Sequence, residues 1–567
     1  MSAPHPAPPI IHHAPWKVWT NPIFRRYCQS RLRLHGLGIT LLVAVLVAGF
    51  IVGMSNSISM RSHLGNIDAA RTGIIPLLIL QGFILFIFGT AQVSGGMVAE
   101  RDEGVIDYQR LIPLTPLTKV VGYIFGLPIR EYAAFGITLP FTAWSLWRGQ
   151  VSWTSWLPLY TAFFTCTLLY HFTGLVTGTV VKNRRWAFLA SIGLVLSLYT
   201  IIPQLAKFGL VFFKYVTIYP VFAESLPGMV PVSYGSLLRA WQRLAPTVRF
   251  FGLDFSEIVF TAFSQGGLIL TFIIMLCRKW RRAESHLLGK LWATGFFIWI
   301  QFLLLGNALP LIDPGLLFPS RAFMGMVRMG RWWQPEPEEA VGMSALYGLV
   351  TLLLILQLGS IITPSVETQR RGWRRARKQG ASALRPLADA ATGFWWVLVM
   401  VATGAVGWFL FTRGLVESRW YPGHVVPPHT LAYFAAILFA AAIGYQTLFE
   451  AKGGRVIGFF TILVGVLPVM VGSVLSVLPG RLEALGIWIA GLSPVTLPLY
   501  GAASLLSISD LPKELARAMP RAFQFWLMVA LLATAWLIVR LWKMRREMAR
   551  SVLAAPAPAE SPELVAQ

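Results

Sequence analysis

Residues 98–119 read Val-Ala-Glu-Arg-Asp-Glu-Gly-Val-Ile-Asp-Tyr-Gln-Arg-Leu-Ile-Pro-Leu-Thr-Pro-Leu-Thr-Lys and separate two long apolar stretches of the chain. The segment contains four of the 24 acidic residues in the protein, namely Glu100, Asp102, Glu103 and Asp107. Charged side chains are costly inside a lipid bilayer, so a charged segment between two membrane spans has to lie at a membrane surface. The two apolar stretches and this segment together predict a membrane protein whose chain turns at 98–119.

A short helix is predicted within this segment. Apolar residues recur there at spacings of three and four, at Val105, Tyr108 and 111–112. Asp107 and Arg110 fall outside this apolar stripe, and Pro113 and Pro116 end the helix before the next span begins. We expect the helix to dock a partner and to pass the partner's motion into the membrane.

The composition supports this interpretation. Of the 567 residues 56% are hydrophobic and only 13% are charged, which is about half the usual charged share. The fold class predicted is therefore an all-α, polytopic transmembrane helical bundle. The net charge of +24 is assigned to loops that face the cytoplasm and anionic lipid, and no nucleic-acid partner is expected.

Twelve spans are predicted. They cover residues 36–54, 74–97, 120–144, 155–181, 186–204, 256–277, 290–311, 342–364, 392–412, 430–449, 456–478 and 522–540. The run 486–506 is also apolar, but it is predicted to dip into the bilayer and return. If it crossed, the basic cluster after residue 540 would face outwards, against the positive-inside bias. Both termini are therefore expected in the cytoplasm, and the membrane is expected to be the inner (plasma) membrane.

The two halves of the chain resemble each other in order. The sixth and twelfth predicted spans end in similar basic clusters, at 276–282 and 541–546. The second and eighth spans lead into Glu100…Gly104 and Glu367…Gly372. This order predicts a parallel repeat of six plus six spans. The domains expected are a cytoplasmic lead with an amphipathic approach helix (1–35), two six-span halves (36–283 and 284–550) and a disordered tail (551–567).

These features resemble a known family. Asn21-Pro22-Ile23-Phe24, the Glu-Arg-Asp-Glu-Gly run after the second span, and Leu-Ile-Pro-Leu-Thr-Pro-Leu-Thr-Lys before the third are similar to type-two ABC exporter permeases. The resemblance implies that the segment near 100–112 is a coupling helix resting on an ATPase subunit. It implies two separate ABC ATPase subunits, identical or different, as partners beside membrane lipids, and a substrate path between the two halves.

The resemblance also implies which residues form the ATPase-coupling surface. They are Glu100, Arg101, Glu103, Gly104, Asp107 and Arg110 and, in the second copy, Glu367, Arg371 and Gly372. The charges are expected to meet the partner, and Gly104 is expected to permit the turn. The second copy carries Arg and Lys in place of the acidic cluster.

No enzymatic chemistry is expected in this chain. It lacks the phosphate-binding pattern Gly-x-x-x-x-Gly-Lys-[Ser/Thr] and recognised hydrolase or metal-site motifs. The ATP and Mg that would drive export are therefore assigned to a partner subunit. No cofactor, metal or catalytic residue is assigned to the chain itself.

Polar residues within spans are the remaining candidates, because burying them in lipid costs roughly 2.5–3.5 kcal/mol. Arg130, Glu131 and His171 are selected. Arg130 and Glu131 are each expected to pair with a neighbouring helix or to snorkel, and His171 is expected to be a hydrogen-bonded histidine of the bundle rather than a proton site. Gln301 and Asn307 are expected to bond between helices. Solvated positions are expected for Asp254, Glu257 and Glu450.

Two other functions stay open. An ion- or proton-coupled secondary transporter needs paired acidic residues near the bilayer midplane, where the sequence offers Glu131. A membrane-embedded lipid- or glycan-modifying enzyme needs a carboxylate-rich outer loop, yet the 204–255 loop contains only Glu224 and Asp254.

Overall fold

The computed structural model describes residues 14, 16–61, 65–181, 183–231, 248–312, 337–421, 423–478, 481–506 and 513–554. The chain forms two compact units. The first comprises Met1–Lys207 with Val211–Ser285, and the second comprises Phe208–Leu210 with His286–Gln567. The sequence-based division after residue 283 lies two residues from this boundary.

The first unit contains thirteen α-helices in its described part. They are α1 (Pro22–Arg31), α2 (Leu34–Arg61), α3 (Asn66–Thr72), α4 (Ile74–Gly82), α5 (Thr90–Asp102), α6 (Val105–Leu111), α7 (Pro116–Gly126), α8 (Ile129–Arg148), α9 (Trp153–Val180), α10 (Arg184–Thr200), α11 (Ile202–Ala206), α12 (Tyr219–Met229) and α13 (Glu257–Arg281). A 3-10 helix at Val211–Val216 and an antiparallel hairpin of β1 (Val248–Phe250) and β2 (Leu253–Phe255) complete it, with Phe250 opposite Leu253.

The core of the first unit forms around α9. The helix α5 packs on α9 and α10, α13 packs on α9, and α2 packs on α8. Helices α3 to α5 form one continuous 37-residue helix, Asn66–Asp102, which includes a π-helical segment at Phe83–Gly89. Small residues let α9 approach this long helix closely: a Cβ at Gly178 would lie 2.8 Å from the Ser94 carbonyl oxygen.

The second unit contains ten α-helices in its described part. They are α14 (Lys290–Ile312), α15 (Pro337–Ile362), α16 (Val366–Lys378), α17 (Phe394–Val416), α18 (His429–Lys452), α19 (Gly454–Phe460), α20 (Leu467–Ser476), α21 (Arg481–Ala490), α22 (Leu497–Leu506) and α23 (Lys513–Ala554). A π-helical segment at Thr461–Val466 joins α19 to α20.

The core of the second unit forms around α17 and α18. The helix α17 packs on α14, α15 and α18, while α18 also packs on α23. The Trp408 ring of α17 stacks on the Phe434 ring of α18 with centroids 3.7 Å apart. Gly348 of α15 makes room for the same indole, because a Cβ there would lie 2.5 Å from it.

The lengths and composition of the helices indicate a multi-pass membrane protein. Ten helical segments in the described residues are long and apolar enough to cross a membrane. One of them exposes a continuous apolar face along its length, at Ile39, Leu42, Leu46 and Phe50. Such a face would be costly in water and is typical of contact with lipid.

Two of the predicted spans are not among these ten. The predicted third span, 120–144, is divided between α7 and α8 by a break at Leu127 and Pro128, where proline removes a helical N–H donor. The predicted fifth span corresponds to α10, which has only 17 residues. The run 486–506 divides into α21 and α22, each ten residues and therefore about 15 Å long, too short to cross.

The predictions for the two ends of the chain are tested only in part, because some of these residues are not described. Residues 1–13 and 15 of the predicted cytoplasmic lead lie outside the described residues, as does the predicted tail from 555 onwards. The helix α23 runs to Ala554, four residues beyond the predicted end of the second half at 550.

Candidate functional site

The turn between α5 and α6 depends on Gly104. This residue has φ of +73°, in the left-handed region that side chains with a Cβ adopt only at a cost. The amides of Asp107 and Tyr108 bond to the Gly104 carbonyl oxygen and start α6. The helix then ends at Leu111, just before Pro113, as the sequence predicts. Gly104 therefore has the turn-forming conformation expected of it.

The face of α6 that the protein buries is not the predicted apolar stripe. Ile106 and Gln109 are buried against the unit, whereas Tyr108 is 67% exposed and Leu111 is 83% exposed. Asp102, Glu103 and Asp107, which lie near these two residues in the chain, are also exposed. The exposed side of this segment therefore combines apolar and acidic side chains; we call these five residues the α6 face and its three acidic members the acidic rim.

Glu100 lies behind this face and holds the end of α5 in place. Its carboxylate forms an ion pair with Arg26 of α1 and accepts a hydrogen bond of 3.2 Å from the Tyr123 hydroxyl of α7. Burial, together with the neighbouring Tyr123 and Glu100, raises the pKa of Tyr27 on α1, so this phenol stays neutral. Glu100 is therefore a buried anchor that links α5 to α1 and α7.

Two other predicted surface residues also face inwards. Arg101 directs its guanidinium to the carbonyl oxygens of Gly178 and Thr179 at the end of α9, at 3.3 and 3.5 Å. Arg110 is partly buried and pairs with Asp107 on its own helix. The buried Lys119 of α7 donates to the Arg110 carbonyl oxygen at 3.4 Å. Of the six predicted residues around α6, only Glu103, Gly104 and Asp107 are exposed.

The approach helix α1 is joined firmly to α7. Asn21 caps α1 by accepting from the amides of Ile23 and Phe24, and it donates to the Thr118 carbonyl oxygen at 2.7 Å. Arg31, at the other end of α1, donates to the Leu127 carbonyl oxygen at 2.6 Å. Asn21 and Arg31 therefore hold the two ends of α1 against α7 and the residue that follows it.

The corresponding helix of the second unit, α16, has a basic exposed face. The exposed cations follow a helical spacing at Arg370, Arg371, Arg374, Arg375 and Lys378. Glu367 pairs with Arg371 one turn along the helix, and both side chains are largely exposed. Gly372 faces the protein, because a Cβ at this position would lie 2.2 Å from the Ala390 Cβ.

Glu450 is a buried anchor, and the prediction that it is solvated is wrong. Its carboxylate accepts a hydrogen bond of 2.6 Å from the Gln369 amide of α16 and pairs with Arg545 of α23 through both oxygens. The Glu450 side chain is 0% exposed. No local pattern in the sequence indicates this site, because its partners are distant in the chain.

The three polar residues selected within spans share no hydrogen-bond partner in the described residues. Arg130 donates to the Gly36 carbonyl oxygen at 3.1 Å and to the Thr40 hydroxyl at 2.9 Å, both on α2. Glu131 has a buried Oε2 without a hydrogen-bond partner in the described residues. His171 has two hydrogen-bonding neighbours on other helices. The structure therefore does not join Arg130, Glu131 and His171 into one site.

His171 fits against the π-helical segment of the long helix. Its Nε2 lies 3.0 Å from the Leu85 carbonyl oxygen and its Nδ1 lies 2.9 Å from the Tyr132 hydroxyl. These contacts match a neutral imidazole that donates from Nε2 and accepts at Nδ1. A Cβ at Gly89 would lie 2.5 Å from Nε2, so the glycine makes the approach possible.

Sequence reasoning missed a buried polar network around Gln81. The Gln81 amide donates to the hydroxyls of Thr138 and Thr142 on α8 and accepts from the Tyr160 hydroxyl of α9 at 2.7 Å. The glutamine side chain within an otherwise apolar run is the sequence feature that indicates such a network. Such networks hold membrane helices together, so Gln81 is assigned a structural role.

Other polar predictions have mixed outcomes. Gln301 bonds between helices, to the hydroxyls of Thr351 and Tyr347, as predicted. In the described residues, the Asn307 amide donates only to the Leu303 carbonyl oxygen of its own helix, so its predicted interhelical bond is not seen among them. Asp254 is exposed as predicted, but Glu257 is largely buried, 4.0 Å from Lys214.

Comparison of the chain with protein-family models, with curated proteins and with solved structures gave no match. The class of protein therefore follows from the helices alone: this is an all-α, multi-pass membrane protein. Its most distinctive surface features are the acidic α6 face and the basic face of α16.

Proposed function

We propose that the chain is the membrane-spanning subunit of an ABC-type exporter, driven by separate ATPase subunits that dock on its surface helices. The observation that carries the proposal is the α6 face. Tyr108 and Leu111 are exposed on a helix that directly follows a membrane-spanning helix, and exposed acidic residues lie near them in the chain. An apolar centre with a polar rim is typical of protein–protein interfaces.

The contacts behind α6 support a coupling role. Only Glu103 and Gly104 separate α6 from α5 in the chain, and the two helices are also in contact. At the end of α5, Glu100 connects to α1 and α7, and Arg101 connects to the end of α9. A rigid-body movement of α6 is therefore expected to move four helices of the first unit together.

The element order supports a six-plus-six repeat. In each unit a first span precedes a longer second one, a short surface helix follows, and a pair of short helices precedes the final span. Counting α7–α8 and α10 as crossings gives twelve spans. We infer that the chain lies in the inner (plasma) membrane with both termini in the cytoplasm. In this orientation the basic residues of α16 and of the end of α23 face the cytoplasm, as the positive-inside rule requires.

The second docking site differs in charge from the first. The α6 face has an acidic rim, whereas α16 exposes five cations. One partner surface cannot complement both helices equally well. We infer that the two ATPase subunits differ, or that the contact on α16 is degenerate.

An ion-coupled secondary transporter is the second candidate. The buried Oε2 of Glu131 without a hydrogen-bond partner favours it, since proton-coupled transport uses buried carboxylates. Replacing Glu131 with Gln separates the two candidates. Loss of transport with ATP hydrolysis unchanged would support coupling to protons.

The deciding experiment is purification of the tagged full-length chain from native membranes. We expect a subunit with a phosphate-binding loop to co-purify. Glu103→Arg is expected to lower the ATPase rate of the complex several-fold without unfolding the chain, because it reverses a charge of the acidic rim. Asp254→Arg, at another exposed acidic position, is the matched control. The proposal fails if no ATPase co-purifies, or if Glu103→Arg leaves the rate of an intact complex unchanged.

A further inference from the structure

A cavity of about 210 Å³ opens beside the first turn of α17. Two tryptophans and two arginines belong to its wall, which consists of Thr392, Phe394, Trp395, Trp542, Arg545 and Arg546. Trp395 and Trp542 are both exposed. Tryptophan and arginine together are typical of the region where lipid headgroups meet the protein.

Arg546 supplies the available positive charge of this cavity. Arg545 is committed to Glu450, but no carboxylate pairs with Arg546 among the described residues. The Arg546 guanidinium lies over the Trp542 ring at 5.4 Å, which holds it at the cavity while its N–H donors stay available.

An apolar groove lies further along α17 than this cavity. Its volume is about 340 Å³, and it lies between α17 and α18. Its wall consists of Leu398, Val401, Ala402, Ala432, Ala435, Ala436 and Phe439. Phe394, Leu398 and Ala402 are four residues apart in turn and therefore share one side of α17. From Trp395 to Ala402 the helix rises about 10 Å.

We propose that the cavity and the groove together bind one anionic phospholipid. The headgroup phosphate accepts hydrogen bonds from Arg546, and one acyl chain lies in the alanine-lined groove. The order of the two sites matches a lipid, because the charged cavity lies at the helix end and the apolar groove lies about 10 Å or less further into the membrane. A free phosphate would use the cavity but would leave the groove empty. This inference needs only the membrane-spanning fold and does not depend on the proposed ATPase partners.

The test titrates the delipidated full-length chain with phosphatidylglycerol, phosphatidylcholine and inorganic phosphate, and follows bound ligand by native mass spectrometry. Arg546→Gln is expected to weaken phosphatidylglycerol binding about tenfold, through loss of a charge-assisted hydrogen bond. Arg550→Gln, an exposed arginine one turn further along α23, is the matched control and is expected to bind as the unchanged chain does.

A second pair of variants tests the groove. Ala435→Leu fills it and is expected to weaken phosphatidylglycerol binding about tenfold, whereas Ala535→Leu, at an exposed position of α23, is expected to have no effect. Equal binding of phosphatidylcholine would overturn the headgroup assignment. Tight binding of inorganic phosphate that Ala435→Leu does not affect would overturn the lipid assignment. A change from dimer to monomer in Ala435→Leu, with lipid binding unchanged, would assign the groove to a second copy of the chain.

Discussion

Arg545 and Glu450 form a two-point ion pair although 95 residues separate them in the chain, with Nε 2.7 Å from Oε1. The pair joins α23 to α18, and Gln369 brings α16 into the same contact. In the first unit, Glu100 joins α1, α5 and α7 in a similar way. A glutamate that links helices distant in sequence therefore lies beside α6 in the first unit and beside α16 in the second.

Glu450→Ala is expected to lower the free energy of unfolding by about 3–5 kcal/mol, because it leaves the partly buried Arg545 unpaired. Thermal unfolding of the full-length chain in one detergent measures this loss. The control is Glu367→Ala, whose ion pair is exposed and contributes about 0.5 kcal/mol or less. The double variant Glu450→Leu/Arg545→Leu is expected to recover much of the loss. Equal unfolding temperatures for Glu450→Ala and Glu367→Ala would show that the buried pair is not a stabilising contact.

Gly104→Ala is expected to destabilise the turn by about 1–2 kcal/mol through backbone strain alone, since no atom lies within 4 Å of the added Cβ. Proteolysis near residue 104 and thermal unfolding are the measurements. Gly104→Asn is expected to be milder, because asparagine tolerates this conformation better. Gly136→Ala, in a helix with equally open space, is expected to be neutral or slightly stabilising. Identical behaviour of Gly104→Ala and Gly136→Ala would contradict the strain argument.

The orientation of α6 predicts opposite results at adjacent apolar positions. Ile106→Ala is expected to cost about 2 kcal/mol because the side chain is buried. Tyr108→Ala and Leu111→Ala are expected to change stability by less than about 0.5 kcal/mol, since both side chains are exposed. Thermal unfolding of the isolated chain distinguishes the two groups. A larger loss for Tyr108→Ala than for Ile106→Ala would restore the apolar stripe as the buried face.

Gly89→Ala is expected to displace His171 and to cost about 1–3 kcal/mol, because the imidazole loses its bond to the Leu85 carbonyl oxygen. A double-mutant cycle with His171→Ala tests the mechanism by thermal unfolding. In the His171→Ala background the same glycine substitution meets no imidazole, so its cost is expected to fall by at least about 1 kcal/mol. Additive effects would mean that Gly89 is constrained by something other than His171.

Gln301 and Asn307 form a matched pair within α14. Gln301→Leu is expected to cost about 0.6–1.7 kcal/mol, the range for hydrogen bonds between membrane helices. Asn307→Leu is expected to be neutral or stabilising, because its buried Oδ1 has no hydrogen-bond partner in the described residues. Thermal unfolding again compares them, and a larger loss for Asn307→Leu would contradict the assignment.

The sequence was sufficient for the class of fold, because long apolar runs and local signals are properties of neighbouring residues. The Asn21 cap, the end of α6 before Pro113 and the turn at Gly104 all follow from short stretches of chain. The interhelical bonds of Gln301 follow from the same principle, since an amide in lipid needs a partner.

The errors concern contacts that local pattern cannot reveal. Glu450 lies near Lys452 at a helix end, where solvation is the ordinary outcome, and its partners are 81 and 95 residues away. The apolar stripe of α6 was correct as a pattern, but periodicity does not tell whether the same chain or a partner covers it. Arg101 and Glu100 were assigned to the surface for the same reason.

The π-helical segment at Phe83–Gly89 has a consequence for comparing this chain with any relative. A π segment is an α-helix with one residue inserted, so it shifts the helical phase by about 100° between its two ends. A relative with an unbroken α-helix here is expected to be one residue shorter between Gly82 and Thr90. Because the insertion frees room for an imidazole, that relative is also expected to lack the histidine at the position of His171. An alignment gap at this point would therefore mark the loss of one hydrogen-bonded contact.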